Sequence, residues 1–252
     1  MSFRMSLYKK GNIISLVILA LYVSANIFFM VLVPKVFSFI QINSSFLLCS
    51  FFIILNILLA FLAKLIPTLK EHWSILKLHH FLIGAIIWLI VLSISHCLKL
   101  AFCNIQASTP ENGDTLSSGL GLTLVIISWE ELMFRGIVLN FLLKYSSKLY
   151  LSIISGLLFM LIHLLNPEIN ILLQGPNLFF AGVLLTLLYL KFKSIWLPLG
   201  FHFANNIFSS KVELLTGYKL DAGGFLLSSG GYVDTLFLAL SCFIAYQIKP
   251  ND

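Results

Sequence analysis

The residues of this chain best suited to chemistry are ionisable and imidazole side chains inside strongly apolar stretches. Glu130, Glu131 and Arg135 lie within the stretch LTLVIISWEELMFRGIVLNFLL, and His163 and His202 lie in two later apolar stretches. An ionisable group at membrane depth is costly unless it is paired or hydrated, so its default interpretation is a buried functional site. Three stretches of this kind predict an active site inside a bundle of membrane helices.

Three of these residues, together with a nearby asparagine, are sufficient for hydrolytic chemistry. A carboxylate, Glu130, and an imidazole, His163, can together take a proton from a water molecule. A second imidazole, His202, and an amide four residues later, Asn206, can donate to an oxygen that becomes negatively charged in the transition state. The residue types therefore predict attack by an activated water molecule on a carbonyl group.

The remaining two charged residues are predicted to form a supporting ion pair. Residues four apart share a helix face, so Glu131 can pair with Arg135. Glu130, one residue earlier, is rotated by about 100° and addresses another neighbour. The spacing thus separates one reactive carboxylate from one structural carboxylate.

The composition is that of a membrane protein. Hydrophobic residues make up 59% of the 252 residues and charged residues only 10%, with a mean hydropathy of +0.99. A soluble domain carries about a quarter charged residues. The net charge of +6 is therefore interpreted as loop charge that orients the chain in a membrane, and not as a nucleic-acid surface. The four cysteines have no CxxC spacing and predict neither a zinc site nor a disulfide framework.

Apolar runs that could cross the membrane recur along the whole chain, since about 20 helical residues span the hydrocarbon core. We predict an all-α, polytopic membrane helical bundle of about eight transmembrane helices, the seventh of them short. The runs are Asn12–Val33, Ser45–Leu65, Phe81–Leu98, Leu116–Leu143, Leu149–Leu165, Ile171–Leu190, Ile195–Phe208 and Gly231–Ile248.

The basic residues predict the orientation of this bundle. With the N-terminus inside, most lysines fall in inner loops, and the minority predicted for outer loops are Lys35, Lys99, Lys211 and Lys219. Positive loops stay in the cytoplasm, so both termini are predicted to be cytoplasmic. Counted at about 1.5 Å per residue from the inner lysines, the four reactive positions lie roughly 14 to 22 Å deep, within one slab of the membrane.

Three motifs in this order resemble those of a known family. Glu130 to Arg135 reads EExxxR, Phe159 to His163 reads FxxxH, and His202 to Asn206 reads HxxxN. Together they resemble the CPBP family of intramembrane endopeptidases, which includes type II CAAX prenyl endopeptidases and bacterial bacteriocin-processing or self-immunity (ABI-like) proteins. The resemblance covers about Leu116 to Phe208 and divides the chain into N-terminal transmembrane helices (1–115), a protease core (116–210) and a C-terminal loop and last helix (211–252).

The resemblance implies a role for each motif residue. Glu130 would be the general base, His163 its partner on the water, and His202 with Asn206 the donors to the transition state. The implied substrate is a peptide or lipidated protein at the membrane, in a bacterial cell membrane. A zinc ion held by Glu130, His163 and His202 is a further option, because these are zinc-binding residue types.

Two alternatives stay open from the sequence. One is a catalytically silent member that confers immunity by docking a bacteriocin or its receptor. The other is a transporter that uses Glu130 and the histidines as a proton relay. The transporter interpretation predicts inverted repeats, and the two halves of the chain show no convincing similarity.

Overall fold

The structure is a computed structural model of the chain. It describes residues 74–102, 104–107, 116–139, 147–163, 169–216, 218–221 and 232–247, together with the single residues Ser24, Ile53, Ile54, Ile57, His72 and Asn166. The first two predicted apolar runs lie outside these ranges, apart from those single residues.

Helices dominate the described part of the chain. They are α1 (His79–Phe102), α2 (Leu116–Glu131), α3 (Lys148–His163), α4 (Ile171–Phe192), α5 (Trp196–Thr216) and α6 (Tyr232–Gln247). A 3-10 turn, Ile75–Lys77, precedes α1, and a π-helical segment, Leu132–Val138, continues α2. This largely helical architecture agrees with the predicted fold class.

Beside the helices, the described part of the chain contains two short strands that the sequence did not predict. Strand β1 (Asn104–Ala107) follows α1 and strand β2 (Tyr218–Asp221) follows α5, and the two pair antiparallel. Because α1 and α5 run side by side in the same direction, the segments that leave them emerge at the same end of the bundle. Extended backbone there satisfies its N–H and C=O groups by pairing.

Two of the helices are long and apolar enough to cross a membrane, namely Ile171–Phe192 and the 3-10 turn joined to α1, Ile75–Lys99. Helices α3 and α6 are apolar but shorter. Within the described ranges these lengths support a membrane protein, and the predicted total of about eight spans stays a prediction.

The start of α1 is tied to the start of α5. The backbone N–H of Ile195 donates to the carbonyl of His72 (3.2 Å), and the indole Nε1 of Trp196 donates to the carbonyl of Ser74 (3.0 Å). The Lys77 ammonium donates to the carbonyl of Lys193 (2.8 Å). We call this end of the bundle, which carries Lys77 and Lys193, the lysine end.

Helices α1 and α5 approach so closely that only glycine fits at their contact. A Cβ on Gly84 would collide with the carbonyl oxygen of Leu197, and a Cβ on Gly200 would collide with that of Phe81. Such small-residue contacts let membrane helices pack backbone to backbone. The contact fixes the position of α1 relative to the HxxxN motif on α5.

Helices α3 and α4 pack antiparallel through a second glycine contact. A Cβ on Gly182 would lie 2.8 Å from the Cβ of Phe159 and 2.9 Å from the Cα of Gly156. One turn away, the hydroxyl groups of Thr186 and Ser155 are hydrogen-bonded to each other (2.8 Å). This contact holds Phe159, and with it the FxxxH motif, against α4.

The predicted position of Lys99 in an outer loop is wrong. Lys99 lies in the last turn of α1, is 6% exposed, and its ammonium is 2.6 Å from the carboxylate of Asp234 on α6. Ser95 donates to the second oxygen of the same carboxylate. Pairing with the Asp234 carboxylate, which Ser95 also holds, compensates the cost of enclosing the Lys99 charge, and apolar periodicity alone does not reveal this partner.

The seventh predicted run is also longer than expected. It was predicted to end at Phe208, whereas α5 continues to Thr216. The polar residues Ser209, Ser210, Lys211 and Glu213 end the apolar pattern but do not end the helix. Lys211, predicted for an outer loop, therefore lies in a helix, and the proposed boundary at residue 210, still a prediction, falls within α5.

Candidate active site

The EExxxR motif lies where α2 changes from α-helical to π-helical geometry. Glu131 is the last residue of α2, and Leu132–Val138 forms the π segment. The N–H of Leu139 donates to the carbonyl of Phe134, five residues back, as the wider π turn requires. Arg135 lies inside this segment and is fully buried. Short π segments inside α-helices are frequent at functional sites, and no sequence pattern indicated this one.

Glu131 and Arg135 form a fully buried ion pair, as the four-residue spacing predicts. Nη1 of Arg135 donates to Oε1 of Glu131 at 2.9 Å, and both side chains have no exposed surface. Nη2 of Arg135 donates to the carbonyl of Gly182 on α4 (3.2 Å). The guanidinium also lies 5.4 Å from the ring centre of Phe159, within the range of a cation–π contact. The pair therefore joins α2 to α3 and α4.

Glu131 has a second partner that the spacing did not predict. Its Oε1 also accepts a hydrogen bond from Nδ1 of His202 on α5, at 2.9 Å. A carboxylate that binds the first ring nitrogen of a histidine holds the ring in one orientation and determines where the other nitrogen points. Glu131 is thus a positioning contact for His202, in addition to its pairing with Arg135.

The other ring nitrogen of His202 faces Glu130. Nε2 of His202 is 3.6 Å from Oε2 of Glu130, slightly beyond hydrogen-bond distance. Oε2 of Glu130 has no hydrogen-bond partner among the described residues, although it is buried. The Glu130 side chain keeps 17% exposure, whereas that of Glu131 keeps none. Of the two adjacent carboxylates, Glu130 is the one that water or a substrate can reach.

The FxxxH motif places His163 beside the same aromatic ring that contacts His202. Nδ1 of His163 lies 2.8 Å from the carbonyl of Phe159, one turn earlier on α3. A carbonyl only accepts, so Nδ1 carries the proton and Nε2 is the acceptor of the neutral ring. The ring centre of Phe159 is 4.5 Å from that of His163 and 5.6 Å from that of His202. No described hydrogen bond or ion pair joins His163 to Glu130.

Asn206 follows His202 by one turn of α5 and is oriented by its neighbours. Its Oδ1 accepts from Nδ2 of Asn205 (3.1 Å), and Oδ1 of Asn205 accepts from the indole Nε1 of Trp88 on α1 (2.9 Å). The six predicted site residues therefore fall into a contacting cluster of Glu130, Glu131, Arg135 and His202, with His163 attached through Phe159 and Asn206 on the helix of His202. Asn205 and Trp88 were not among the predicted site residues.

The aromatic residues of the motifs are core residues. Trp129, Phe134 and Phe159 are each 2% exposed and belong to one buried cluster, so these three pack inside the described bundle. Phe203 is half-buried and its ring centre is 5.6 Å from that of Phe81 on α1. Within this part of the chain the aromatics separate and orient the polar groups.

A zinc ion fits the described residues only in part. The 3.6 Å between His202 Nε2 and Glu130 Oε2 is close to the ~3.4 Å that separates two ligands on one tetrahedral zinc with bonds of about 2.1 Å. Across the described ranges, however, no group of three His, Cys, Asp or Glu side chains is placed to hold a metal ion. His163, the third predicted ligand, does not belong to such a group, so the set of zinc ligands is incomplete.

Comparison with known proteins identifies the family and a relative to which the chain is similar. Residues 112–208 match the family described as type II CAAX prenyl endopeptidase Rce1-like. The chain is also similar to YyaK, an uncharacterized protein of Bacillus subtilis (strain 168), with 36% identity over 96 residues. That similarity covers 37% of this chain and 32% of YyaK, so it spans about a third of the relative's length. No solved structure matches the chain. The family match covers all three motifs and confirms the resemblance that they predicted.

Proposed function

We propose that this chain, whose residues 112–208 match the Rce1-like type II CAAX prenyl endopeptidases, hydrolyses a peptide bond at or within the membrane. The observation that carries the proposal is the partly exposed Glu130 side chain, whose buried Oε2 is unpaired among the described residues and faces the Nε2 of a histidine that a second carboxylate holds in place. Oε2 of Glu131 is likewise unpaired among the described residues, so it is partial exposure, 17% against 0%, that distinguishes Glu130 from Glu131.

In the proposed reaction Glu130 activates the attacking water. Its carboxylate takes one proton of the water while the water oxygen bonds to the carbonyl carbon of the scissile peptide. His163 assists through Nε2, because its Nδ1 proton is committed to the Phe159 carbonyl. Closure of the site around an incoming peptide would bring the two groups to one water, since catalytic contacts often tighten only with substrate bound.

The negative charge that develops on the carbonyl oxygen is stabilised by His202 and Asn206. Donation from Nε2 requires His202 to carry both ring protons, because the proton on Nδ1 is donated to the Glu131 carboxylate. The Asn206 amide supplies a second N–H donor. When the intermediate collapses, the C–N bond breaks and the proton held by Glu130 passes to the leaving amine, which restores the enzyme.

The substrate class is proposed from the family alone. A prenylated or otherwise lipidated peptide is what the description of the family implies, and an apolar bundle offers such a tail a compatible environment. The proposal assigns water activation to Glu130 without a resident metal, because the described residues supply only two facing donors.

The test uses purified protein in lipid vesicles with a panel of lipidated and unlipidated peptides, whose products are sequenced. We expect Glu130→Gln and His163→Ala each to lower kcat/KM by about 100-fold or more, since both remove water activation. The matched control is His79→Gln, a change in an exposed histidine at the lysine end, which should keep wild-type activity. Full activity in Glu130→Gln contradicts the proposal.

Two further measurements distinguish the metal-free reaction from a metal-assisted one and the peptidase from a non-catalytic protein. Activity that survives chelation supports the metal-free reaction, whereas activity lost on chelation and restored by zinc alone supports the metal-assisted one. Absence of cleavage of every peptide, with protein that is folded and inserted, would instead favour the immunity or transporter interpretation.

A further inference from the structure

Trp88 connects the N-terminal half of the described bundle to the proposed oxyanion donor. It lies on α1, outside the family-matched segment, and is 4% exposed. Its indole Nε1 donates to Oδ1 of Asn205 at 2.9 Å, across 117 residues of sequence. Asn205 in turn donates from Nδ2 to Oδ1 of Asn206 at 3.1 Å. We call these two consecutive hydrogen bonds the tryptophan relay.

The direction of the tryptophan relay follows from the chemistry of its members. An indole N–H can only donate, so the side-chain oxygen of Asn205 must face Trp88. The NH₂ group of Asn205 then faces Asn206, whose oxygen must accept. The NH₂ group of Asn206 therefore points away from Asn205. A flipped Asn206 amide would place two NH₂ groups against each other and lose the bond.

The backbone around the tryptophan relay holds Trp88 at a fixed distance from α5. Gly84, one turn before Trp88, packs against the backbone of Leu197 and Phe201, where any side chain would collide. Because α1 and α5 are in backbone contact there, Trp88 has little freedom to withdraw from Asn205. Rigid donors aimed at a developing charge are effective because little reorganisation is needed during the reaction.

We propose that Trp88 and Asn205 are positioning residues that fix the Asn206 amide with its NH₂ group turned toward the reacting carbonyl oxygen. The inference deepens the proposed function and rests on it. Trp88 lies outside the three motifs, Asn205 is one of the unspecified positions of HxxxN, and neither is proposed to touch the reacting atoms. Their effect on hydrolysis is expected only through Asn206.

The kinetic test uses Trp88→Phe, which keeps an aromatic ring but removes the indole N–H, and Asn205→Leu, which removes both bonds of the tryptophan relay. Loss of an oxyanion donor costs about 100-fold in kcat, and we expect loss of its orientation to cost about 10-fold with unchanged KM. In an Asn206→Ala background the same changes should cost nothing more, because residues that act through one group are non-additive.

The matched control is Trp196→Phe. Trp196 also donates its indole N–H across the bundle, to the carbonyl of Ser74 at 3.0 Å, but at the lysine end. It should keep wild-type kcat. An equal loss in Trp196→Phe, or a loss in Trp88→Phe that persists in the Asn206→Ala background, would show a general packing effect and overturn the proposal.

A second measurement reports on the tryptophan relay without turnover. In protein labelled with ¹⁵N at asparagine, the side-chain amide signals of Asn206 are identified by their loss in Asn206→Ala. Trp88→Phe should shift these signals and Trp196→Phe should not. Unmoved signals in Trp88→Phe overturn the inference even where no substrate is cleaved. If cleavage depends on Glu130 but is unaffected by Trp88→Phe, the inference about the tryptophan relay is wrong, while the proposed function still holds.

Discussion

Glu130 and Glu131 are adjacent in the chain yet occupy different surroundings. Glu131 is enclosed and its Oε1 accepts from both Arg135 and His202, whereas Glu130 is partly exposed and its Oε2 lies 3.6 Å from His202 Nε2. The difference arises because consecutive helical residues point about 100° apart, so one faces the packed core and the other stays partly exposed. At the residue scale, the motif therefore combines one enclosed and one partly exposed carboxylate.

This difference in burial predicts that the same substitution changes the stability of the protein at one position and not at the other. Glu131→Gln removes the charge that compensates the buried Arg135 guanidinium, and breaking a buried pair costs about 3 to 5 kcal/mol. Glu130→Gln, the matched control, should leave the stability close to that of the wild type. The measurement is denaturant-induced unfolding of the purified protein in detergent. Equal stabilities of the two variants would contradict the assignment.

Helices α3 and α4 act as one element because two glycines allow their backbones to touch. Gly182 contributes its missing side chain to this contact, and its carbonyl accepts from both Arg135 Nη2 and Thr186 Oγ1. The position of α4 is therefore coupled to the buried ion pair beside the site. A displacement of this helix would be transmitted to Arg135 and, through Glu131, to His202.

We expect Gly182→Ala to destabilise the protein by about 1 to 3 kcal/mol, because its Cβ would overlap Phe159 Cβ and Gly156 Cα. It should also lower kcat through the displaced ion pair. Gly121→Ala on α2 is the matched control, since a Cβ there meets nothing within 4 Å and alanine favours a helix by about 1 kcal/mol. Unfolding midpoints of both variants give the comparison, and an undisturbed Gly182→Ala protein would show that α3 and α4 can separate without cost.

At the scale of the whole molecule, the two ends of the bundle differ in charge and in contacts. The lysine end carries Lys77 and Lys193. Lys148 lies at the same end, because α3 and α4 pack antiparallel and the contact between Ser155 and Thr186 lies two turns from Lys148 along α3 and two turns from Lys193 along α4. The opposite end carries the enclosed pair of Lys99 and Asp234. Lys77, Lys148 and Lys193 thus lie at the lysine end, whereas Lys211 in the last turns of α5 and Lys219 in β2 lie toward the opposite end.

The positive-inside rule predicts that the lysine end faces the cytoplasm. Single cysteines at Lys148, Lys193 and Tyr232, in a background without the four native cysteines, can be labelled with an impermeant reagent on intact cells. Tyr232 is exposed and begins α6, two residues before Asp234. We expect labelling at Tyr232 alone, with the two lysine positions labelled only after permeabilisation. The reverse pattern would invert the topology and the side from which a peptide tail reaches Glu130.

The sequence by itself determined which residue types the site contains and that they lie in apolar helices. Hydropathy and four-residue spacing are local properties, so the Glu131 and Arg135 pair, most helix positions and the family resemblance could all be predicted. The same local signals underestimated α5, whose polar end does not break the helix, and misplaced Lys99, whose compensating charge lies 135 residues away. They also gave no indication of the two paired strands.

Only the tertiary structure decided how the polar groups are divided among roles. The contact of His202 with Glu131 spans 71 residues and that of Trp88 with Asn205 spans 117. Such contacts depend on the rotation and depth of each helix against its neighbours, which close glycine packing determines and a single sequence does not display. The spacing alone predicted different partners for Glu130 and Glu131, but the degree to which each is exposed emerged only after α2, α4 and α5 were assembled around them.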